Sequence, residues 1–344
     1  MTIHVVLPAG VDDLSIPSGG NVYDRRVLRE LVGLGADVIE TAVAGAWPRP
    51  GPQACEELAR TLAEVPDGGV VLLDGLVACG VPDVVVPHAD RLRLVVLVHL
   101  PLADETGLEP GVAAELDAAE RRTLAAAAAV VGTSPWASRR LVEHHGLAPD
   151  RVHTVTPGVD PADLAPGTDG VSRLLCVASV TPRKGHDVLL DALATLVDVP
   201  WTLDCVGPLR DDEHVRRLRR VADGFGDRVR FTGPLDGPPL DRAYAAADLF
   251  VLASRAETYG MVVTEALARG IPVVASSVPD ALGGGGVLVP PGDVPALAGA
   301  LRRWFDDERV RRDLRDAAHL RRDRLAGWRE AAEEMARVLV RVRG

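Results

Sequence analysis

Aromatic residues make up only 3% of this 344-residue chain, so its cores must be packed from valine, leucine and alanine. Cysteine is scarce too. Cys55, Cys79, Cys176 and Cys205 show no close paired spacing, and three of them lie in or beside apolar runs. That excludes a disulfide framework or a zinc site and leaves buried thiols in a reducing compartment as the expectation. No apolar run approaches the length that spans a bilayer. The strand pattern already starts at Ile3, which leaves no room for a signal peptide and predicts a soluble, cytoplasmic protein. There is no basic block at the N-terminus, and the formal net charge is −11, which argues against non-specific nucleic-acid binding. Arginine is dense near the C-terminus, but acids are interleaved with it, the pattern of a solvated helix face. There is no Gly-x-Ser-x-Gly elbow, and His4, His88, His144, His145, His153, His186, His214 and His319 show no metal-ligand spacing.

What is present is an alternation. The 344 residues are enough for two domains of ordinary size, and the 47% hydrophobic residues are ample for their cores. Buried strands are predicted at Ile3–Leu7, Val38-Ile39, Val70–Leu73, Leu94–Val98 and Val130-Val131, with amphipathic helices between them. The stretch Thr156–Gly170 breaks the rhythm with three prolines and three glycines and reads as a linker. The alternation then restarts, with strands at Leu174–Val177, Leu203–Val206, Val229–Phe231, Leu249–Leu252 and Val273-Val274. Helices are expected to begin near His186, Asp211, Pro238 and Met261. Such alternation implies parallel sheets covered on both faces. Two α/β halves are expected to leave a cleft between them, a common ligand site. Residues 328–344 form a further helix without a strand of its own, expected to return to the first half.

Three stretches carry chemistry. The first runs from Ser254 through Glu257, Gly260 and Glu265 to Pro272. It reads as strand, turn, helix, turn and strand, so Glu257 and Gly260 fall where a parallel sheet binds ligands. The free amides at the start of the helix suit a phosphate, and Gly260 lets the backbone approach it. Helical geometry carried across the segment would set Glu257 and Glu265 on one face, about 12 Å apart. Read alone, the two acids also fit an ordinary turn residue and a solvated helix residue. The second is Ser179–Gly185, where Arg183 and Lys184 follow a strand; Arg forks onto a diphosphate and Lys adds a point charge. The third is the first half's pair of sites. Gly19-Gly20 precedes a helix that Asn21 is expected to cap. His99 ends a buried strand, where an imidazole can bond a sugar hydroxyl or relay a proton. The run Gly283–Gly286 reads as a turn.

Together these stretches resemble the family 4 glycosyltransferases over nearly the whole chain. The Glu-x7-Glu pair (Glu257 and Glu265, flanked by Gly260, Gly270 and Pro272) carries the likeness. The Arg-Lys-Gly loop, the Val-Arg-Phe-Thr-Gly stretch ending at Gly233, Ala-Ala-Asp248, Gly19-Gly20, His99 and Thr-Pro-Gly-Val-Asp at 156–160 follow in family order. The chain departs from the pattern in having Ala178-Ser179-Val180 where a Gly-Arg is usual.

The resemblance implies an α/β GT-B fold, two Rossmann-like domains whose parallel sheets face a deep inter-domain cleft. It places an acceptor domain at 1–160, to which 328–344 returns, and a nucleotide-sugar donor domain at 161–327. It implies a metal-independent, retaining hexosyltransferase with no cofactor beyond its nucleotide-sugar co-substrate. The acceptor would be a hydroxyl on a small molecule or a lipid-linked one. By analogy Arg183 and Lys184 grip the diphosphate, helped by Gly19, Gly20, Thr258, Tyr259, Gly260, Met261 and Val262. Glu265 holds the ribose, Glu257 meets the donor sugar, Gly207 and Leu235 flank the base, and His99 lies near the reacting sugar. The competing readings are an epimerase or phosphorylase on the same frame, and a binding protein without catalysis.

Overall fold

The computed structural model describes residues 1–12 and 18–343. The chain divides into two compact units, 1–158 with 326–344 and 159–325. Among the described residues of the first unit, the elements follow in this order: β1 (Thr2–Pro8), α1 (Gly19–Gly33), β2 (Asp37–Val43), α2 (Pro52–Glu64), β3 (Val70–Asp74), α3 (Gly75–Ala78), α4 (Pro82–Val85), β4 (Arg93–Val98), α5 (Pro110–Ala126), β5 (Ala129–Gly132), α6 (Pro135–His145) and β6 (Val152–Thr154). The second unit holds β7 (Arg173–Val177), α7 (His186–Ala194), β8 (Thr202–Val206), α8 (Asp212–Asp223), β9 (Val229–Gly233), α9 (Pro238–Ala245), β10 (Leu249–Leu252), α10 (Met261–Ala268), β11 (Val273–Ser276), α11 (Pro279–Leu282), β12 (Gly286–Val289), α12 (Val294–Asp306) and α13 (Glu308–Arg322). The last helix, α14 (Trp328–Arg343), belongs to the first unit. It lies on α1, where the Trp328 ring meets Tyr23 edge to face at 6.0 Å.

Each unit is a six-stranded parallel sheet, ordered β2-β1-β3-β4-β5-β6 in the first and β12-β11-β10-β7-β8-β9 in the second. The central strands are apolar on both faces: β3, β5, β10 and β11 are buried at every position. That is why they read as continuous apolar runs and not as alternating ones. This is the doubly wound GT-B architecture. In such a sheet the ligand crevice lies at the carboxyl ends of the two strands from which the chain winds outward in opposite directions. Those strands are β1 and β3 in the first unit, β7 and β10 in the second.

Two local expectations need correction, and a third, the glycine turn, gains detail. α1 starts at Gly19 with Ser18 in the cap position, so Asn21 lies inside the helix, and its amide donates to the Gly10 carbonyl at 3.3 Å. The run Gly283–Gly286 is the expected turn, and it hands α11 over to β12. Gly283 ends α11 and Gly286 opens β12, where a Cβ would lie 2.2 Å from the Val273 carbonyl oxygen. Glu257 is not helical, since α10 begins only at Met261; the helical estimate of the Glu257–Glu265 spacing therefore does not apply. Ile16 and Pro17 of the Gly-Gly stretch lie outside the described residues.

Candidate active site

In the second unit the two loops at the winding point lock together. The β7 loop runs through Arg183 and Lys184 to Gly185, and the β10 loop runs from Ser254 to Gly260. Gly185 has φ +66°, and a Cβ there would sit 2.0 Å from the Ala253 carbonyl oxygen. Only glycine permits that approach. The Arg255 amide donates to the Arg183 carbonyl at 2.8 Å. The Arg255 guanidinium forks onto Asp187 at 2.8 and 2.9 Å and also donates to the Pro182 carbonyl at 2.7 Å.

This frame brings Arg183, Lys184 and Glu257 to one point. Lys184 Nζ donates to Glu257 Oε1 at 2.5 Å, and Arg183 Nη1 lies 3.6 Å from Oε2. Arg183 Nη1 also donates to the Ala256 carbonyl at 3.1 Å. The fully buried Ser254 donates its hydroxyl to Glu257 Oε1 at 2.7 Å, and its carbonyl is held by Ser276 Oγ at 2.6 Å. Burial pushes the Glu257 carboxyl up, but Lys184 and Arg183 together hold it below the usual carboxylate range. Two cations against one carboxylate leave a surplus of one positive charge. Arg183 Nε is buried with no hydrogen-bond partner, a donor in position for an incoming oxygen. Lys184 is the only lysine in the chain.

Thr258 and Tyr259 complete the loop to α10, whose cap is Gly260 at φ +93°. Val263 N bonds back to the Gly260 carbonyl at 2.9 Å. The amides of Met261 and Val262 precede it in the first turn, where helices leave their N–H groups unpaired and partly positive. Glu265 lies one turn further on. Its Oε2 accepts from the buried Tyr244 hydroxyl at 2.8 Å, and the Arg269 guanidinium lies over the Tyr244 ring at 4.5 Å. Gly207 follows β8 at φ +150°, against the Ala178 carbonyl. Leu235 lies one strand further out, after β9, half-buried against the core. Asp248 is structural: its carboxylate accepts from the Thr168, Gly170 and Arg173 amides and pins the stretch entering β7.

The first unit gathers a different set. His99 follows β4, and its Nε2 lies 2.8 Å from Asp24 Oδ1 on α1. Its ring stands edge to face with Tyr23, centroids 5.3 Å apart. A Cβ on Gly20 would lie 3.1 Å from His99 Cδ2, so the second glycine of the pair makes room for the imidazole. Gly19 is exposed at the start of the helix. Asp74, at the end of β3, accepts from the Leu76 amide at 2.7 Å. The segment after His99 is anchored by Arg140, which forks onto Asp104 at 3.1 and 2.7 Å.

Sequence reasoning placed the cations and His99 at strand ends; it passed over Asp24, Tyr244 and Ser276, and gave Ser254 and Asp74 no role beyond bounding their stretches. These act from beneath the named residues, and nothing in their own neighbourhoods marks them. One signal was there to be read: a single lysine in a chain otherwise stocked with arginine marks a position where a compact, flexible ammonium is required.

Comparison with known proteins agrees with this layout. Residues 171–307 match the family "Glycosyl transferases group 1", and residues 69–163 match "Glycosyltransferase Family 4". D-inositol 3-phosphate glycosyltransferase 1 of Catenulispora acidiphila is 34% identical over 249 residues, 64% of this chain and 59% of that protein. D-inositol 3-phosphate glycosyltransferase of Jonesia denitrificans is 31% identical over 294 residues, covering 74% of this chain and 68% of the relative. Among solved structures, sucrose-phosphate synthase from Thermosynechococcus elongatus superposes with a TM-score of 0.78 at 23% identity, covering 99% of this chain and 98% of that one. Anabaena HepE, solved in complex with UDP and glucose, gives a TM-score of 0.78 at 18% identity, covering 99% and 100%. The structural likenesses speak to the fold, and the sequence relatives to the lineage: the chain belongs to the family 4 glycosyltransferases.

Proposed function

We propose that the protein is a retaining glycosyltransferase that moves a hexose from a nucleoside diphosphate sugar to a hydroxyl of a small acceptor. The observation that carries this is the convergence of Lys184 and Arg183 on Glu257 at the winding point of the second sheet, on the loop that leads into the first turn of α10. Charge develops on the departing diphosphate in the transition state, and pre-placed cations and amides stabilise it there. With that neutralisation supplied by side chains and backbone, the reading needs no metal. Glu257 holds the two cations in place and meets the donor sugar as an electrostatic and positioning group. Glu265, oriented by Tyr244, takes the ribose hydroxyls. In a front-face mechanism the departing phosphate takes the acceptor proton, and no covalent sugar–enzyme bond is formed.

The relatives' names point to inositol 3-phosphate as their acceptor. The chain spans 59% of the first relative's length, and its own loops suggest a different acceptor. The stretches 74–79 and 99–108, which follow β3 and β4, contain no lysine or arginine. The nearby Arg25 and Arg140 are paired with Asp12 and Asp104. An uncharged polyol suits these loops better than a phosphorylated one. The test is turnover of nucleotide sugars against neutral and phosphorylated cyclitols, with anomeric configuration of the product read by NMR. Transfer with retained configuration to a neutral acceptor is expected. Inversion, donor conversion without any acceptor, or nucleotide binding without turnover would each reject the reading.

A further inference from the structure

Beneath His99 lie two carboxyl groups for which the proposed reaction has no direct use. Asp24 is 3% exposed and Asp74 is 5% exposed. One carboxylate oxygen from each of Asp24 and Asp74 and one ring nitrogen of His99 lie within 4.8 Å of one another. Asp24 Oδ1 is taken by His99 Nε2, while Asp24 Oδ2 is buried and has no hydrogen-bond partner. The pair adjoins a cavity of about 10 Å³, walled by Val5, Leu7, Val27, Leu28, Leu72 and Leu97. That is room for one water at most. Two ionised carboxylates cannot sit this close in an apolar wall against a single imidazolium without leaving a buried net negative charge.

We propose that Asp24 and Asp74 form a carboxyl pair with one proton between them, and that Asp24 is the positioning residue that holds His99 as an imidazolium. Asp24 then takes Nε2–H, and Nδ1–H is left to donate to a substrate oxygen. Nδ1 makes no hydrogen bond among the described residues, and the His99 side chain keeps 20% exposure. Tyr23 and Gly20 both pack against the ring. A held imidazolium donates from both nitrogens, so His99 is a hydrogen-bond donor to the reacting sugar or the acceptor and not a base.

The electrostatics agree in direction. Burial pushes His99 down, but the Asp24 charge and hydrogen bond, with Asp74 behind them, carry it up to about 9. Burial and the Asp24 charge push Asp74 up to about 7, against the opposing pull of His99 and the Leu76 amide. The other titratable groups facing this cluster are the Tyr23 phenol, which donates to the Val155 carbonyl at 3.0 Å, and Glu334 of α14, which acts on Tyr23. Because the folded value of His99 lies above its ordinary 6.5, its contribution to stability is complete below 6.5 and is lost as pH rises through about 9.

This inference rests on the proposed function for what His99 donates to, but its test does not. The full chain, labelled with ¹³C and ¹⁵N, is titrated without ligand from pH 5.5 to 10, and His99 ring signals are assigned by their loss in His99→Gln. The expected result is a His99 midpoint near 9 in the wild type. Asp24→Asn should bring it down by two units or more, and Asp74→Asn should abolish a carboxyl step near 7 while leaving His99 bonded to Asp24. Native near-ultraviolet circular dichroism of each variant establishes that the fold is kept, and Asp74→Asn reads the shared proton independently if Asp24→Asn unfolds. A wild-type His99 midpoint at or below 6.5, or a carboxyl step near 7 that survives Asp74→Asn, would overturn the proposal. If the titrations come out as expected and no transferase activity is found, the carboxyl pair stands and the function falls.

Discussion

The two units are both six-stranded parallel sheets, wound in different strand orders, and they carry opposite chemistry where the winding reverses. At the winding point of the second sheet, two cations converge on one carboxylate. At that of the first, two carboxyl groups converge on one imidazole. The frame supplies the location, the carboxyl ends of the innermost strands. The residues in the connecting loops decide the task. A surplus of positive charge suits a diphosphate, while a neutralised, donor-bearing cluster suits sugar and acceptor hydroxyls.

The comparison is broken most sharply in the second unit. Glu257→Ala frees Lys184 and Arg183 from their common anchor, and Lys184→Ala removes the chain's only ammonium side chain. Each is expected to lower turnover by about 10²–10³-fold, the usual cost of a lost transition-state donor. Steady-state kinetics with a nucleotide sugar measures it, and unchanged turnover in both would remove the second unit from the chemistry.

Next come the glycines. An alanine at Gly185 meets backbone at 2.0 Å with φ +66°, whereas one at Gly20 meets only the His99 ring at 3.1 Å. Gly185→Ala should therefore cost about 1–3 kcal/mol or more of fold stability in a denaturant melt. Gly20→Ala should leave stability nearly intact and change activity through His99. Equal melts for the two would contradict the close packing of the β7 and β10 loops.

The acid limb of the stability curve sharpens the comparison further. Glu257 is held below its ordinary value, so its contribution is present above the ordinary carboxylate range and lost as pH falls through its lowered value. Asp74 is displaced the other way, so its protonated form is favoured up to about pH 7. Glu257→Gln should flatten the acid loss and Asp74→Asn the loss on the rise towards neutrality, both visible in melts across pH 3–8.

The smallest expected effect on turnover is that of Tyr244→Phe. It removes one donor from Glu265, a bond to a charged group of the kind worth about 1.5–3 kcal/mol. It should weaken donor binding more than it lowers kcat, because the ribose is remote from the reacting bond. A fall in kcat with unchanged KM would place Glu265 elsewhere.

Much of this was legible in the sequence because parallel strands buried on both faces write themselves as apolar runs. Val70–Leu73 and Leu249–Leu252 are such runs, and both proved central. The hidden strands β6 and β12 are edge strands, only partly buried, and carry no such signature. At the sites, Lys184 and Gly260 declare themselves by residue type and position. Asp24 does not: it lies within an ordinary amphipathic helix, and its meaning depends on a strand end seventy-five residues away. Long-range pairing of this kind is set by the sheet order, which no local pattern specifies.

The central claim is that the β7 and β10 loops of the second unit form the diphosphate grip. Isothermal titration with UDP, GDP and ADP against the wild type, Lys184→Ala and Arg302→Ala tests it directly. Arg302 pairs with Asp198 at 2.7 Å on the helical layer of the same unit and serves as the control. The account predicts that at least one nucleoside diphosphate binds the wild type and Arg302→Ala equally, and Lys184→Ala at least tenfold more weakly. Equal affinity for all three proteins, or no binding to any, would contradict it.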